Sequence, residues 1–300
     1  MALLSYTPEI AEARAKGLPI VALESTIITH GMPWPKNKEM ALQVEADIRA
    51  AGAIPATIAV MDGQILIGLN AAQLDRLAQT PDALKLSRAD LAVTLATGRT
   101  GATTVAATMI CAQRAGIEVF ATGGIGGVHR GAELSFDISA DLQELAQTRV
   151  TVVAAGAKAI LDLPKTLEVL ETLGVPVIAY GQDALPAFWS RDSGLKAPLR
   201  MDAPEQIAAS HRMRARLDLP GGQLVANPIP AADELPSSML APLIETALRE
   251  ADAQGISAKN VTPFLLRRIF ELTDGASLTA NIALVRNNAR LAAEIARALT

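Results

Sequence analysis

Short apolar runs rich in β-branched residues alternate along the chain with longer segments in which apolar residues recur every three to four positions. The short runs predict buried strands, and the longer Ala- and Leu-rich segments predict amphipathic helices. The predicted strands are Ile20–Leu23, Ile54–Met61, Leu91–Leu95, Val119–Ala121, Val150–Ala154, Val175–Tyr180 and Gln223–Ala226. The predicted helices are Lys38–Ala51, Ala71–Thr80, Ala102–Ala115, Ala140–Ala146, Pro164–Leu173, Pro204–Leu217, Leu240–Ala253, Thr262–Thr273 and Leu278–Leu299. This alternation favours an α/β fold, with a largely parallel sheet sandwiched by helices.

Capping residues support several of the predicted helix ends. Asn37 precedes the first predicted helix, Gly52 follows it, and Gly116 ends another. The longest irregular segment is Gly181–Pro204, whose bulky apolar residues predict a functional loop or lid rather than a linker. The chain shows no internal repeat, and we interpret residues 1–300 as one domain.

Composition excludes several classes of function. The net charge is −4 and the isoelectric point about 5.5, which indicates neither nucleic acid nor an anionic membrane as a partner. Cys111 is the single cysteine, so no intrachain disulfide can form, and a reducing, cytoplasmic location is expected. The first residues lack the pattern of a signal peptide, and every apolar run is shorter than the roughly 18 residues of a membrane span.

Lys158 follows residues 151–157 (TVVAAGA), an apolar run that predicts a buried strand ending at Gly156 and a strand-to-helix turn. Lysine heads are strongly hydrated, so a lysine in this position points to a cleft, where α/β proteins bind ligands. An amine shielded from water and close to a helix N-terminus loses its proton more readily and becomes nucleophilic. The other interpretation is a lysine that reaches solvent from the turn. This segment by itself leaves both open.

Glu24 stands directly after the predicted strand Ile20–Leu23. A carboxylate there is costly unless it is paired or protonated, and a protonated carboxyl group can act as a general acid. A solvated carboxylate at the strand end fits the same pattern.

A glycine-rich segment, residues 121–131 (ATGGIGGVHRG), follows the strand Val119–Ala121. His129 stands where a dinucleotide-binding fingerprint requires glycine, which disfavours a Rossmann site. The backbone can still approach a small ligand closely. An ordinary loop with glycines at positive φ would explain the glycines but not the His129 and Arg130 that follow.

Asp137 precedes a predicted helix for which Ser139 is the candidate N-cap. Asp141 suits the first turn of that helix, but Asp137 has no such structural reason. Mg²⁺ and Mn²⁺ bind carboxylates and retain several waters, so Asp137 with Asp141 nearby is a candidate metal site. Ordinary surface acids are the alternative.

Residues 100–107 (TGATTVAA) place a Gly/Thr loop before a helix start, which can bind an anion through backbone N–H groups. The segment lacks the Gly-Lys-Ser/Thr of a Walker loop. A well-capped helix with small residues against the sheet is the other interpretation. Lys85 is a candidate cation for a phosphate at this place.

Several of these segments, taken in order, resemble pseudouridine-5′-phosphate glycosidases. The matching segments are 22–33 (ALESTIITHGMP), 101–108 (GATTVAAT), 120–131 (FATGGIGGVHRG), 137–142 (DISADL), 155–158 (AGAK) and 226–230 (ANPIP). The resemblance runs from about Val21 to Asn288. Long motifs in one order are far more specific than any single one.

The resemblance implies a three-layer α/β/α fold, a homotrimer, and reversible cleavage of the C-glycosidic bond of pseudouridine 5′-phosphate to uracil and ribose 5-phosphate. Lys158 would be the nucleophile that forms a Schiff base with the ring-opened ribose, and Glu24 the proton donor. One Mn²⁺ per subunit would be held by Asp137. The substrate would contact Lys85, Val105, Thr122, His129, Ser139, Ala140, Asp141 and Asn281.

Two other functions compete with this interpretation. A sugar kinase of the ribokinase type needs a glycine-rich anion hole and an aspartate late in the chain. The nearest segment, residues 273–277 (TDGAS), lacks that arrangement. A non-catalytic sugar-phosphate sensor would bind ribose 5-phosphate but has no use for a nucleophilic amine.

Overall fold

An eleven-stranded, mostly parallel sheet forms the centre of the computed structural model, which describes residues 2–256 and 261–300. The strands are β1 (Leu4–Tyr6), β2 (Ile20–Leu23), β3 (Ile54–Met61), β4 (Gln64–Ile67), β5 (Leu84–Leu86), β6 (Gly101–Thr103), β7 (Val119–Ala121), β8 (Thr151–Ala154), β9 (Val177–Tyr180), β10 (Leu199–Met201) and β11 (Gln223–Ala226). Their order is β1-β4-β3-β2-β7-β8-β11-β9-β10, and β6 joins β5 to β3. Among the described strands, only β3–β4 and β3–β6 pair antiparallel.

Helices cover the sheet on both faces, which gives the expected three-layer α/β/α architecture. The helices are α1 (Pro8–Ala15), α2 (Thr26–His30), α3 (Lys36–Ala50), α4 (Ala71–Ala78), α5 (Arg88–Thr97), α6 (Val105–Arg114), α7 (Ala132–Ser135), α8 (Ala140–Gln147), α9 (Leu163–Thr172), α10 (Pro204–Arg216), α11 (Ser237–Ala253), α12 (Val261–Leu272) and α13 (Ala276–Leu299). In one layer, α13 packs on β2, β7 and β8 between α3 and α10. In the other, α6 packs on β2, β3 and β7 between α5 and α8.

The central strands are buried along their whole length because helices cover both faces. Every residue of β7, β8 and β11 is buried, as is usual for parallel strands. Six of the seven predicted strands are confirmed, with ends shifted by at most two residues. The predicted strand Leu91–Leu95 is wrong, because this segment lies inside α5. The Asp90 carboxylate accepts a hydrogen bond from the Ser87 N–H and closes the first turn, and Gly98 ends the helix at φ 66°.

Three predicted helix starts are wrong, and one of them is that of α11, which begins at Ser237 rather than Leu240. Residues 101–103 form β6 between β3 and β5, so α6 begins only at Val105, after Thr104 as its N-cap. Asn37 is not a cap but lies within α3. Its buried side chain donates to the backbone oxygens of Ile28 and Ala78 and thereby holds α2 and α4 against α3.

The irregular segment that begins at Gly181 is packed into the protein rather than open. The side chain of Trp189 is fully buried, and that of Phe188 nearly so. The segment also contains β10, which pairs with β9. In the described part of the chain, no helix combines the length and the apolar character needed to cross a membrane.

Candidate active site

Three of the sequence-predicted site residues lie at the carboxyl ends of three adjacent parallel strands. Glu24 follows β2, Thr122 follows β7, and Lys158 lies in the loop after β8. Neighbouring parallel strands bring their carboxyl ends to one edge of the sheet, where α/β proteins bind ligands.

Glu24 is half-buried, and two threonine hydroxyls hold its carboxylate. Thr26 donates to Oε2 and Thr122 donates to Oε1, so each oxygen has one partner. Glu24 therefore does not extend freely into solvent as the alternative interpretation required. The carboxylate also borders a mainly apolar cavity lined by Leu23, Ile27 and Val44.

Ser25 fixes the backbone immediately after Glu24. Its hydroxyl donates to the Ile58 carbonyl oxygen at 2.6 Å and accepts from the Thr103 N–H at 2.9 Å. Thr103 in turn donates to the same carbonyl, at 2.8 Å, and accepts from the Thr108 hydroxyl. These contacts are buried, so the turn that presents Glu24 is rigidly attached to β3, β6 and α6.

Lys158 lies in an irregular loop, and the predicted strand-to-helix turn is wrong. The next helix, α9, begins only at Leu163, with Asp162 as its N-cap, so no helix N-terminus stands at Lys158. The amine is half-buried and donates to the Gly124 carbonyl oxygen at 2.9 Å. Its backbone N–H donates to Ile125 O at 3.1 Å, which fixes the loop against the glycine-rich segment. Lys158 therefore points at the site rather than away from it.

The single thiol does not compete with this amine as a nucleophile. Cys111 is fully buried in α6, and burial raises the pKa of its thiol to about 12.

The glycines after β7 are required by close packing, and the expected positive φ values occur only at Gly131. A Cβ on Gly124 would lie 2.6 Å from the Phe188 ring, which packs across the loop. A Cβ on Gly126 would collide with Ser139. The backbone here therefore approaches its neighbours more closely than any side chain would permit.

Asp141 ties the glycine-rich segment to α6. Its Oδ1 accepts from the Ala106 N–H at 2.9 Å and its Oδ2 from the Gly126 N–H at 2.8 Å. Both carboxylate oxygens thus have backbone donors, and Asp141 does not join Asp137 in a cluster of metal ligands.

The N-termini of α6 and α8 meet at the candidate anion site, where Asp141 in the first turn of α8 accepts from the Ala106 N–H of α6. The Ala106 N–H is used by Asp141, and Ala107 N–H faces the Thr104 hydroxyl at 3.5 Å. Among the hydrogen bonds of the described residues, none has the Val105 N–H as donor. Ser139 and Ala140 begin α8, and the Ser139 hydroxyl accepts from the Asp141 N–H at 3.2 Å. First-turn amides of two helices favour a phosphate at this position.

Lys85 and Lys158 both act electrostatically on His129, which places the three side chains in one region. Burial is the main cause that lowers the pKa of His129. The nearby Asp137 carboxylate opposes this shift, and the charges of Lys158 and Lys85 add to it. Lys85 also contributes, after burial, to a lowered pKa at His30. The positive charge in this region suits a phosphate ester.

Asp137 is only partly buried, and its Oδ2 lies 4.0 Å from His129 Nδ1. The backbones of the two residues also meet, because the His129 N–H donates to Asp137 O at 3.0 Å. Across residues 2–256 and 261–300 no three His, Cys, Asp or Glu side chains converge on a common metal position. A hard cation with one carboxylate ligand and a shell of water fits this environment, whereas an ion held by three or more protein ligands does not.

Asn281 lies on α13 and contacts Trp189 of the segment that begins at Gly181. Its side-chain oxygen accepts from Trp189 Nε1 at 2.7 Å, so the indole orients the amide. The Trp189 ring packs against Phe188, with centroids 4.9 Å apart. The segment predicted as a loop or lid therefore packs on the glycine-rich backbone and orients the Asn281 amide.

Sequence reasoning missed some residues that hold the site together. Thr26 lies inside a quoted motif without an assigned role, and its contact with Glu24 is local enough to have been considered. Asn227 lies in the matched segment 226–230, and Asn288 is at the end of the range over which the resemblance runs. Their hydrogen bonds, however, join distant parts of the chain. No periodicity or spacing indicates such contacts.

Comparisons with known proteins identify the family of this chain. Residues 9–298 match the family described as indigoidine synthase A like protein. The chain is 73% identical over 299 residues to a pseudouridine-5′-phosphate glycosidase of Paracoccus denitrificans (strain Pd 1222), covering 99% of this chain and 98% of the relative. It is 71% identical over 297 residues to the enzyme of the same name from Jannaschia sp. (strain CCS1), with 99% and 98% coverage.

Two solved structures share the fold over nearly the full length. The prealnumycin C-glycosynthase AlnA, in complex with ribulose 5-phosphate, has a TM-score of 0.92 at 40% identity and covers 100% of this chain and 97% of its own. An indigoidine synthase A-like protein of Thermotoga maritima has a TM-score of 0.89 at 34% identity, with 98% and 96% coverage.

Proposed function

Because this chain is an enzyme of the pseudouridine-5′-phosphate glycosidase family, within the indigoidine synthase A-like proteins, we propose that it cleaves pseudouridine 5′-phosphate to uracil and ribose 5-phosphate. The observation that carries the proposal is the glycine-rich loop after β7. Through Thr122 it holds the Glu24 carboxylate, and through the Gly124 carbonyl it holds the Lys158 amine. An acid and an amine fixed by one short segment are what a carbon–carbon glycosidic bond requires, because its leaving group departs only after a carbon is protonated.

In the proposed first step, the Lys158 amine attacks C1′ of the ribose through its nitrogen lone pair. The bond from C1′ to the ring oxygen breaks, the ring oxygen takes the proton that the newly bonded nitrogen loses, and the sugar opens with its carbon–carbon bond to uracil still intact. The hydrogen bond from Nζ to Gly124 O aligns the amine before the attack. Such covalent catalysis divides one difficult step into two easier ones.

In the second step, C5 of uracil gains a proton and the C1′–C5 electron pair stays with the base. The nitrogen lone pair of Lys158 then forms the C1′ imine. Glu24 supplies this proton, because its carboxyl group is held by Thr26 and Thr122 at the edge of an apolar cavity. Water finally adds to the imine and releases ribose 5-phosphate and the free amine. Every step is reversible, and the sequence run backwards forms the carbon–carbon bond.

The substrate phosphate is proposed to bind Lys85, the Val105 N–H, and Ser139 with Ala140 at the start of α8. Thr122, His129, Asp141 and Asn281 are proposed to line the space for ribose and base. The convergence of two helix N-termini with a positive region around His129 supports this assignment.

Lys85→Ala is expected to raise KM for the nucleotide and to change kcat little. A hydrogen bond to a charged group contributes about 1.5–3 kcal/mol, which is roughly ten- to a hundredfold in affinity. For the same reason unphosphorylated pseudouridine should be a poor substrate. Steady-state kinetics on both compounds measure this. The control is Lys16→Ala, which removes an exposed lysine paired with Glu12 on α1. Equal turnover of pseudouridine and its 5′-phosphate would refute the phosphate site.

One Mn²⁺ per subunit is proposed at Asp137. The single, partly exposed carboxylate fits an ion that keeps most of its water ligands. When bound, the cation would offset negative charge on the substrate. Asp137 would hold the cation. The backbone N–H of His129 donates to the backbone oxygen of Asp137 and would keep that residue in place.

Chelation is expected to abolish activity, and added Mn²⁺ should restore it in the wild type but not in Asp137→Ala. The reason is that Asp141, the other acid of the candidate metal site, already has backbone donors on both of its oxygens. Activity titrated against metal, together with metal content after dialysis, measures this. Glu133→Ala is the control, because it removes another exposed carboxylate from the same segment. Full activity in the chelated wild-type enzyme would disprove the metal requirement.

A homotrimer in the cytoplasm is also proposed. Leu134 is 88% exposed and Phe136 is 83% exposed beside Asp137, and a second copy covering them would remove apolar surface from water. Light scattering of the purified enzyme tests the trimer.

The function is tested by incubating the enzyme with uracil, ribose 5-phosphate and Mn²⁺ and analysing the products by chromatography. Formation of pseudouridine 5′-phosphate, and its breakdown when supplied alone, is the expected result. ATP turnover with no carbon–carbon bond formed would favour the sugar kinase. Tight binding of ribose 5-phosphate without any turnover would favour the sensor.

A further inference from the structure

Two asparagines buried beneath the glycine-rich loop connect α13 to the carboxyl ends of β7 and β11. Asn288 on α13 is 0% exposed, and Asn227, which directly follows β11, is 4% exposed. Neither residue has a role in the proposed chemistry. Fully buried amides are uncommon because each must find partners for its donors and acceptor.

The two amide side chains form a series of hydrogen bonds that leads from Asn227 through Asn288 to the backbone of the glycine-rich loop. Asn227 Nδ2 donates to Asn288 Oδ1 at 3.0 Å, and Asn288 Nδ2 donates to Thr122 O at 2.8 Å, with a longer approach of 3.4 Å to Gly123 O. The Asn227 N–H donates to Ala154 O at 2.8 Å, which anchors the chain of contacts on β8. Asn288 is thus satisfied on both sides of its amide.

Packing alone does not require an amide at position 288. The surrounding face of α13 is apolar, with Leu284, Val285 and Ala292 buried against the sheet. An aliphatic side chain would be buried equally well at this position. It would, however, leave the buried Thr122 carbonyl without this donor, and an unsatisfied buried acceptor is costly. The amide therefore serves the loop rather than the helix.

We propose that Asn288, oriented by Asn227, is a positioning residue that sets the Thr122–Gly124 backbone and thereby the alignment of Glu24 with Lys158. The Thr122 hydroxyl donates to Glu24, and two residues later the Gly124 carbonyl accepts from Lys158. A rotation of this short segment moves both groups at once. The inference rests on the proposed function and assigns to it two residues whose hydrogen bonds reach the Thr122–Gly124 backbone rather than Glu24 or Lys158.

The test is Asn288→Asp, which keeps the shape and the acceptor for Asn227 but cannot donate to the Thr122 carbonyl. Misplacing reacting groups by about 1 Å costs roughly 10²-fold in rate, so kcat should fall by about that factor. KM should stay within about threefold, because the phosphate contacts lie on α6, α8 and β5. The rate of borohydride trapping with ribose 5-phosphate should fall in parallel with kcat.

Two further variants separate positioning from stability. Asn227→Ala removes only the donor that orients Asn288, and a smaller fall in kcat with unchanged KM is expected. If the buried carboxylate of Asn288→Asp prevents folding, Asn227→Ala by itself tests whether Asn288 is a positioning residue. Asn287→Asp is the matched control, because the neighbouring side chain on α13 donates to Pro228 O at 3.1 Å and does not reach the loop.

Thermal unfolding is recorded for all variants, and kinetics are measured below the lowest melting temperature. A fall in kcat for Asn288→Asp or Asn227→Ala that Asn287→Asp does not share supports the positioning role. Wild-type kcat in folded Asn227→Ala, or losses in all three variants that follow melting temperature alone, overturns it. An inactive wild type would instead refute the proposed function itself.

Discussion

Lys158→Ala is expected to abolish turnover, with a loss larger than the about 10⁴-fold upper range for removing a general acid or base. In the proposed mechanism the amine forms the bond to C1′, so its removal would eliminate the covalent pathway instead of slowing one proton transfer. Lys85 and Lys165 do not substitute for it. Lys85 lies in β5 and is the proposed cation for the phosphate, and Lys165 pairs with Glu133 and Asp162 on the surface. Uracil release measured in single-turnover mode gives the residual rate.

Lys158→Arg is the sharper variant, because it keeps a positive charge and a donor for the Gly124 carbonyl but cannot form an imine at neutral pH. It should be as inactive as Lys158→Ala while binding ribose 5-phosphate. Lys16→Ala serves as the surface control. If Lys158→Arg turns over at more than a trace of the wild-type rate, the amine is an electrostatic group and not the nucleophile.

Glu24→Gln is expected to lower kcat by about 10²–10⁴-fold, the usual contribution of a positioned proton donor. The carboxamide has nearly the same shape, so the contacts with Thr26 and Thr122 change little in geometry. Ring opening and imine formation with ribose 5-phosphate need no proton on uracil. The variant should therefore still be trapped by borohydride although it no longer exchanges uracil.

The matched control for Glu24→Gln is Glu39→Gln, an exposed position on α3 that should keep wild-type kinetics. The pair of measurements, uracil release and adduct formation, distinguishes the roles. Loss of both in a folded Glu24→Gln enzyme would mean that Glu24 acts before or during imine formation, and the assignment of separate roles would be wrong.

The fold was largely predictable because its central strands are buried on both faces. Such strands appear as short apolar runs, and β2, β3, β7 and β11 begin and end where those runs do. The failures have a physical cause. The segment Leu91–Leu95 has the apolar composition of a strand, but the capping contacts at the two ends of α5 stabilise a helix instead. The strand β6 has three small residues and no pattern of its own, and it exists because β3 and β5 pair with it.

The candidate site was predictable where a reactive side chain directly follows a strand, as Glu24 does. Ligands of α/β proteins bind at the carboxyl ends of parallel strands, so the apolar run that precedes Glu24 is enough to locate it at the site. The partners of these residues were not predictable. The hydrogen bond from Thr122 to Glu24 spans 98 positions, and that from Asn288 to Thr122 spans 166. Contacts of this kind depend on strand order and helix packing, which the local pattern does not determine.

The most direct test of the Lys158 mechanism is to locate the covalent adduct. Wild-type enzyme is incubated with ribose 5-phosphate and borohydride, digested with trypsin and analysed by mass spectrometry. A reduced sugar phosphate on Lys158 blocks cleavage there, so one peptide spanning residues 150–165 should carry the added mass. It should be absent from Lys158→Arg. An adduct on Lys85 or Lys165, or no adduct from an enzyme that still releases uracil, would contradict the Schiff-base mechanism at Lys158.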